Sequence, residues 1–129
     1  MYNKEIKMGL DMYATIETNE EEPFTIEEFQ WRKHAKLHEF MENLFVQKGG
    51  TGEFNCVKLE LSMSDLEELR KQIINDDLPN SNGGFFFGHQ HQDETAENNK
   101  EYDLTFCTQA IKQLKEDPKN VNVMYDSWW

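Results

Sequence analysis

The feature that most constrains the fold of this chain is an unbroken aromatic run, Phe85-Phe86-Phe87, between glycines at positions 84 and 88. Successive strand residues point to opposite faces of a sheet, so a run without polar residues predicts a short strand buried on both faces. Such a strand is normally central. It leads directly into His89 and His91, and sites tend to lie where rigid elements end.

The size of the chain bounds its architecture. With 129 residues, of which 37% are hydrophobic and 12% aromatic, it has material for one core. We therefore predict a single globular domain over residues 1–129. Within it, residues 1–7 are expected to be a flexible N-terminal extension, and the polar residues 89–100 a mobile loop.

The charge balance restricts the partners. The chain has 13 basic and 25 acidic residues, a net charge of -12. Phosphate backbones and anionic lipids are repelled, so we expect no sequence-independent nucleic-acid binding and no membrane partner. No apolar stretch is long enough to span a membrane, and residues 1–7 are too polar for a signal peptide. These features predict a cytoplasmic protein.

The two cysteines are Cys56 and Cys107, which lie far apart in the sequence and in no metal-binding or redox motif. Each lies in a segment with an apolar period. In a reducing compartment a chain with an adequate core needs no disulfide, so we predict that both are reduced core residues.

The first half of the chain predicts a strand and a long helix. Residues 9–17 resemble a strand, and Thr25 and Glu28 have the spacing of a capping box. We therefore predict a helix from Thr25 to about Gln47, ended by the glycines that begin at Gly49. Its apolar stripe would consist of Ile26, Leu37, Phe40, Met41 and Leu44.

The second half predicts three further elements around the aromatic run. Residues 57–61 alternate apolar and charged residues, which indicates a short strand near an edge. Ser62 is expected to cap a helix over 62–74. A third helix is predicted from about residue 102 to residue 116, and a last strand over 121–125.

Together these elements predict an α+β fold. About four strands would form one sheet packed by three helices, in the chain order β-α-β-α-β-α-β. The connections are long enough for either parallel or antiparallel pairing, so the strand order is left undetermined.

Four motifs carry a resemblance to a known family: Met8-Gly9-Leu10-Asp11-Met12-Tyr13, Trp31-Arg32-Lys33 with His38, Gly84-Phe85-Phe86-Phe87-Gly88, and Ser127-Trp128. Together they resemble a family of small proteins from bacteriophages and their bacterial hosts. The resemblance implies one domain of this length, a phage context and the host cytoplasm. It also implies that Met8 is the natural start. It supplies no catalytic residue, and neither His34 nor the pair His89 and His91 is expected to be a family feature.

The histidines are the candidate pocket or metal site. His34 and His38 are four residues apart, so on the predicted helix both would project from one face. With His89 and His91 they could form a zinc or nickel site, in a small metal-binding protein or a hydrolase. The alternative, which we favour, is that the helix histidines lie at the margin of the core and that the protein needs no cofactor.

A second candidate site is a buried ion pair. Asp11 lies in an otherwise apolar strand, where a carboxylate needs a charged partner. Arg32 or Lys33 on the predicted helix would supply it. Such a carboxylate could serve as a general base or ligand anchor, although a structural ion pair is the simpler interpretation.

The surface offers the last candidates. Glu20, Glu21 and Glu22 belong to one acidic cluster, and Asp93, Glu94, Glu97, Glu101 and Asp103 to a second. Such clusters usually only keep a protein in solution, but they could also imitate DNA and inhibit a host factor. Trp128 and Trp129 are available for an interface.

No nucleotide-binding loop or nucleophile motif occurs in the chain. The leading hypothesis is therefore a non-enzymatic phage accessory protein that binds another protein, or itself as a homodimer. The metal-binding protein or hydrolase and the DNA mimic are the alternatives.

Overall fold

The computed structural model describes residues 10–79 and 96–128, which form one sheet and three helices. The strands are β1 (Asp11–Thr18), β2 (Thr25–Arg32), β3 (Leu59–Glu60) and β4 (Val121–Trp128). The helices are α1 (Ala35–Gln47), α2 (Met63–Ile74) and α3 (Ala96–Glu116). The predicted α+β class is confirmed, and the chain order agrees roughly with the predicted one. The predicted strand at Phe85-Phe86-Phe87 lies outside the described residues.

The sheet is antiparallel throughout, in the order β2-β1-β4-β3. The first strand is one of the two inner strands, because β1 pairs with β2 from Asp11 to Glu17 and with the last strand, β4, from Asp11 to Thr18. Asp11 is opposite Arg32 on one side and Trp128 on the other. The two-residue β3 forms one edge, as predicted for residues 57–61.

The helices pack on one face of this sheet. Alternate residues of the two central strands enter the core, among them Met12, Ile16, Val123 and Tyr125, all with 0% exposure. Burying a side chain of this size contributes about 1.5–3 kcal/mol, so this face dominates the stability of the fold. The intervening residues form the opposite face, which carries the surface features described below.

The predicted helix from Thr25 is wrong over its first third, because residues 25–32 are strand β2. Phe29 and Trp31 alternate with polar neighbours and enter the core, as strand residues do. The helix start was predicted from the capping-box spacing of Thr25 and Glu28, but both residues pair with β1 as strand residues, Thr25 with Glu17 and Glu28 with Thr15. A β-bulge at Ile26 lies between them, since Glu17 pairs with Thr25 while the preceding residue of β1 pairs with Glu27.

Helix α1 begins only at Ala35. Its predicted apolar positions Leu37, Phe40, Met41 and Leu44 are all buried, whereas Ile26 is 39% exposed. The chain leaves the helix through Gly49, whose φ of +93° is in the left-handed region that glycine tolerates best.

Two further helix boundaries can be compared with their predicted positions. Ser62 caps α2 as predicted, and the cap is a capping box, since Ser62 Oγ accepts from the Asp65 amide while the Asp65 side chain accepts from the Ser62 amide. Helix α3 begins at Ala96, about six residues before its predicted start. Residues 96–100 are therefore helical instead of part of a loop.

The cysteines differ in environment. Both are free thiols, but Cys107 is buried while Cys56 is exposed. Cys56 has a φ of +61° in the loop before β3, so its prediction as a core residue is wrong. Burial raises the pKa of the Cys107 thiol to about 12, which leaves it protonated and unreactive at neutral pH.

Within the described part of the chain, no helix has the length and apolar character needed to cross a membrane.

Candidate functional site

The two helix histidines are both in the core but do not face a common point. His34 immediately precedes α1 and is 5% exposed, and His38 lies in the first turn with 0% exposure. His34 contacts Asp103 of α3, whereas His38 contacts Tyr125 of β4. The predicted i, i+4 pair therefore belongs to two separate polar contacts.

Asp103 is the centre of a buried hydrogen-bond network. Its Oδ1 accepts from the Trp31 indole N–H at 2.6 Å, and its Oδ2 lies 2.7 Å from His34 Nε2. With a proton on Nε2 of His34, the Asp103 carboxylate accepts a hydrogen bond from each of the two rings. Asp103 is 2% exposed, which corrects its assignment to a surface acidic cluster.

The second contact joins His38 to β4. His38 Nδ1 and the Tyr125 hydroxyl are 2.8 Å apart, and the imidazole stacks on Phe54 with ring centres 5.2 Å apart. Burial lowers the pKa of His38 to about 4, so this histidine is neutral at physiological pH. Burial likewise raises the pKa of Tyr125 far above its ordinary value.

A metal centre gains no support from residues 10–79 and 96–128, where no group of three or more potential ligands occurs. His89 and His91, the other half of the predicted site, lie outside the described residues.

The Asp103 carboxylate orients the His34 imidazole as a carboxylate would in a general-base pair. At 5% exposure, however, that imidazole is not accessible to a substrate in this conformation.

The predicted ion pair of Asp11 forms with Arg32, but on the surface. Arg32 Nε and Asp11 Oδ1 are 3.8 Å apart, and the two side chains are 73% and 41% exposed. Arg32 lies on β2 directly opposite Asp11, so the pair joins two strands instead of a strand and a helix. An exposed pair of this kind contributes about 0–1 kcal/mol. Lys33, the other predicted partner, is linked to the start of β1 by its backbone, since its amide donates to the Leu10 carbonyl.

The face of the sheet that the described helices leave uncovered is called the open face. It carries the outward-pointing residues of the three long strands, and their register places them in rows. The rows are Arg32, Asp11 and Trp128; Gln30, Tyr13 and Asp126; Glu28, Thr15 and Met124; Thr25, Glu17 and Asn122.

A shallow hollow lies near the middle of the open face. Tyr13, Thr15 and Met124 line it together with Lys58 from the loop before β3, and its volume is about 390 Å³. Carboxylates line it as well, at Glu17, Glu28 and Asp126. The open face therefore combines apolar contact area with negative charge.

The candidate interface residues lie at opposite ends of this face. Trp128 is 63% exposed at the end of β4, opposite Asp11, while Glu20, Glu21 and Glu22 are exposed in the turn between β1 and β2. Along an eight-residue strand these ends are about 24 Å apart. Trp129 lies outside the described residues.

The β2 edge is partly closed by a side chain. The Tyr102 hydroxyl of α3 accepts from the Gln30 amide at 2.9 Å, and the Tyr102 ring packs edge-on against Phe29 and Trp31. An edge strand whose amide is bonded by a side chain is a weaker template for pairing with another chain.

No protein-family model matches this chain, and no curated protein or solved structure gives a significant match to it. Its function is therefore inferred from the geometry described above.

Sequence reasoning missed the buried hydrogen-bond network of Asp103 and the positions of Tyr13 and Met124 on the open face. For the two open-face residues a signal was present, because alternation along β1 and β4 assigns Tyr13 and Met124 to the face opposite the core. For Asp103 the local signal pointed to the surface, since it follows other acidic residues.

Proposed function

We propose that this protein is a non-enzymatic binding protein and that the open face is its protein-binding surface. The observation that carries the proposal is the exposure of Trp128, 63% of whose surface is accessible on a sheet face that no described helix covers. Tryptophan is enriched at the energetic centres of interfaces, and leaving it exposed to water gains nothing for the isolated fold.

The surroundings of Trp128 support the same proposal. Tyr13 and Met124 extend the contact surface along β1 and β4, and both are only partly buried in the isolated chain. A regular antiparallel sheet presents these side chains on a rigid scaffold, so little conformational entropy is lost on binding.

Catalysis receives less support from the described residues. The two buried histidines are separately bonded to Asp103 and Tyr125, and neither faces the hollow on the open face. The metal-binding protein or hydrolase stays an alternative that depends on His89 and His91. Measuring zinc and nickel in the purified protein tests it directly.

DNA mimicry also receives less support than protein binding. A mimic needs carboxylates spaced like phosphates, and each DNA strand carries one charge per about 3.4 Å of helix axis. Glu28 and Asp126 are on strands two positions apart in the sheet. Strand spacing alone separates their backbones by about 10 Å.

The cellular context of the proposal comes from the resemblance to small phage proteins. On that basis we propose an accessory protein that acts in the cytoplasm of the host.

The test is affinity capture from host cells with three versions of the protein. Wild type and Val46→Ser, which removes an exposed apolar side chain from α1, should retain the same partner. Trp128→Ser should lose that partner while its thermal unfolding is unchanged, because Trp128 is exposed. Equal retention by Trp128→Ser and wild type would contradict the proposed function.

A further inference from the structure

The open face has an excess of negative charge, and this excess bears on the identity of the partner. With Glu60 of β3, which is opposite Met124, its carboxylates outnumber its cations. The carboxylates are Asp11, Glu17, Glu28, Glu60 and Asp126, and the cations are Arg32 and Lys58.

Most of these carboxylates have no cationic partner within the described structure. Arg32 is close to Asp11, which leaves Lys58 as the other cation. Glu17 accepts from the Thr15 hydroxyl at 3.2 Å and Glu28 from the Gln30 side chain at 3.3 Å, but both groups are neutral. The charges therefore remain available to a ligand.

The register places two of these charges on either side of β1. Glu28 is on β2 and Asp126 on β4, and Tyr13 and Thr15 of β1 lie between them. Each of these two residues is thus on a strand whose backbone lies about 5 Å from that of β1. An extended segment lying along β1 would contact Tyr13 on β1 and Met124 on the neighbouring β4, and it would reach carboxylates on both sides.

A second copy of the chain is a poor occupant of this face. In a two-fold dimer the same patch meets itself, so unpaired carboxylates would lie opposite carboxylates. Each copy also carries a net charge of -12, which opposes association at any face. Nucleic acids and anionic lipids are repelled for the same reason.

We infer that the partner binds the open face through a cationic polypeptide segment that combines lysine or arginine with apolar side chains. The basic side chains pair with Glu28 and Asp126, and the apolar ones pack on Tyr13, Met124 and Trp128. This inference rests on the proposed function, to which it adds the chemistry of the partner.

The test uses a defined probe, a twelve-residue peptide of alternating lysine and leucine. Its affinity is measured by calorimetry for wild type, for Glu28→Gln/Asp126→Asn, and for the control Glu67→Gln/Glu116→Gln. The control residues line a groove between α2 and α3, and both pairs remove the same net charge. The open-face double variant should bind the peptide about tenfold more weakly than the control double variant. The salt dependence of its binding should also be smaller.

Other outcomes separate this inference from the proposed function. If both double variants lose the same affinity for the peptide, binding depends only on net charge, and the inference is refuted. If wild type sediments as a dimer and Trp128→Ser as a monomer, a second copy of the chain occupies the open face. This result would refute the cationic partner but would leave the open face as a protein-binding surface. Retention of the natural partner by Trp128→Ser would instead refute the proposed function itself.

Discussion

His34 and Asp103, which are 69 positions apart in the chain, meet in the core with 2.7 Å between the imidazole Nε2 and the carboxylate Oδ2. Because His34 lies between β2 and α1 while Asp103 lies on α3, this contact ties the third helix to the corner where the second strand ends. The Trp31 indole, bonded to the other carboxylate oxygen, adds a second link between the same elements.

Removing the carboxylate should be costly. Asp103→Ala leaves the buried N–H groups of Trp31 and His34 without an acceptor, so the free energy of unfolding should fall by about 1–3 kcal/mol for each group. Chemical denaturation measures this loss. The control is Glu101→Ala on an exposed position of the same helix, which should change stability by less than about 0.5 kcal/mol. Similar losses in the two variants would show that the network contributes little.

Replacing both members of the pair should cost less than replacing one. In His34→Leu/Asp103→Leu the buried His34 imidazole is not left without its acceptor, so this double variant should be more stable than Asp103→Leu alone. The comparison is made by denaturation of the two variants under identical conditions. A double variant that is the less stable of the two would contradict this expectation.

Acidification should destabilise the fold through His38. Its pKa is about 4 in the folded protein, against an ordinary value of 6.5 for an unfolded chain, so between these values the unfolded chain binds a proton that the folded one does not. The free energy of unfolding should therefore decrease as the pH falls from 6.5 to 4, by about 3 kcal/mol from this group. His38→Gln should flatten this part of the stability profile. An NMR titration of His38 with a midpoint near 6.5 would contradict the assignment.

The hydroxyl that covers the β2 edge should make a measurable contribution to stability. Tyr102→Phe removes the acceptor of the Gln30 amide, and we expect a loss of about 0.5–1.5 kcal/mol together with faster hydrogen exchange at Gln30. Tyr13→Phe is the matched control, because no hydrogen bond of the Tyr13 hydroxyl occurs among the described residues. Unchanged exchange at Gln30 would rule out the edge contact in solution.

A methyl group at Gly50 should disturb the aromatic packing behind it. A Cβ at this position would contact the Phe45 ring too closely, and that ring stacks on Phe54 with centres 4.7 Å apart. Gly50→Ala should therefore destabilise the protein by about 1–3 kcal/mol, as overpacking does. Thr51→Ala, at the exposed neighbouring position, should be nearly neutral in the same thermal unfolding experiment. If the two variants have the same unfolding temperature, the Phe45 ring accommodates the methyl group without loss of stability, and this prediction is wrong.

Local signals predicted much of the fold correctly. The cap at Ser62, the apolar stripe from Leu37 to Leu44 and the short edge strand all follow from patterns within a few residues, which local physics controls. The capping-box spacing of Thr25 and Glu28 was misleading, because pairing with β1 places both residues in strand β2.

The candidate sites were harder to predict because they depend on contacts between distant residues. Nothing near Asp103 in the sequence indicates that Trp31 and His34 will supply its partners, so an acidic stretch was the natural interpretation. Arg32 was one of two partners proposed for Asp11 from their chemistry, but the exposure of the pair follows from the face of the sheet on which it lies. Strand register determines that face, and it depends on pairing between segments that are distant in the chain.

The central position of β1 has a consequence for how the chain folds. Its partner β4 is made after all three helices, and contacts such as that between Asn19 and Asn122 span 103 positions. Closing so long a loop is slow, so the helices made in between exist for a time with their apolar sides uncovered. On the ribosome the nascent chain therefore displays the apolar sides of α1 and α2 until β4 emerges, and chaperones would meet it in that interval.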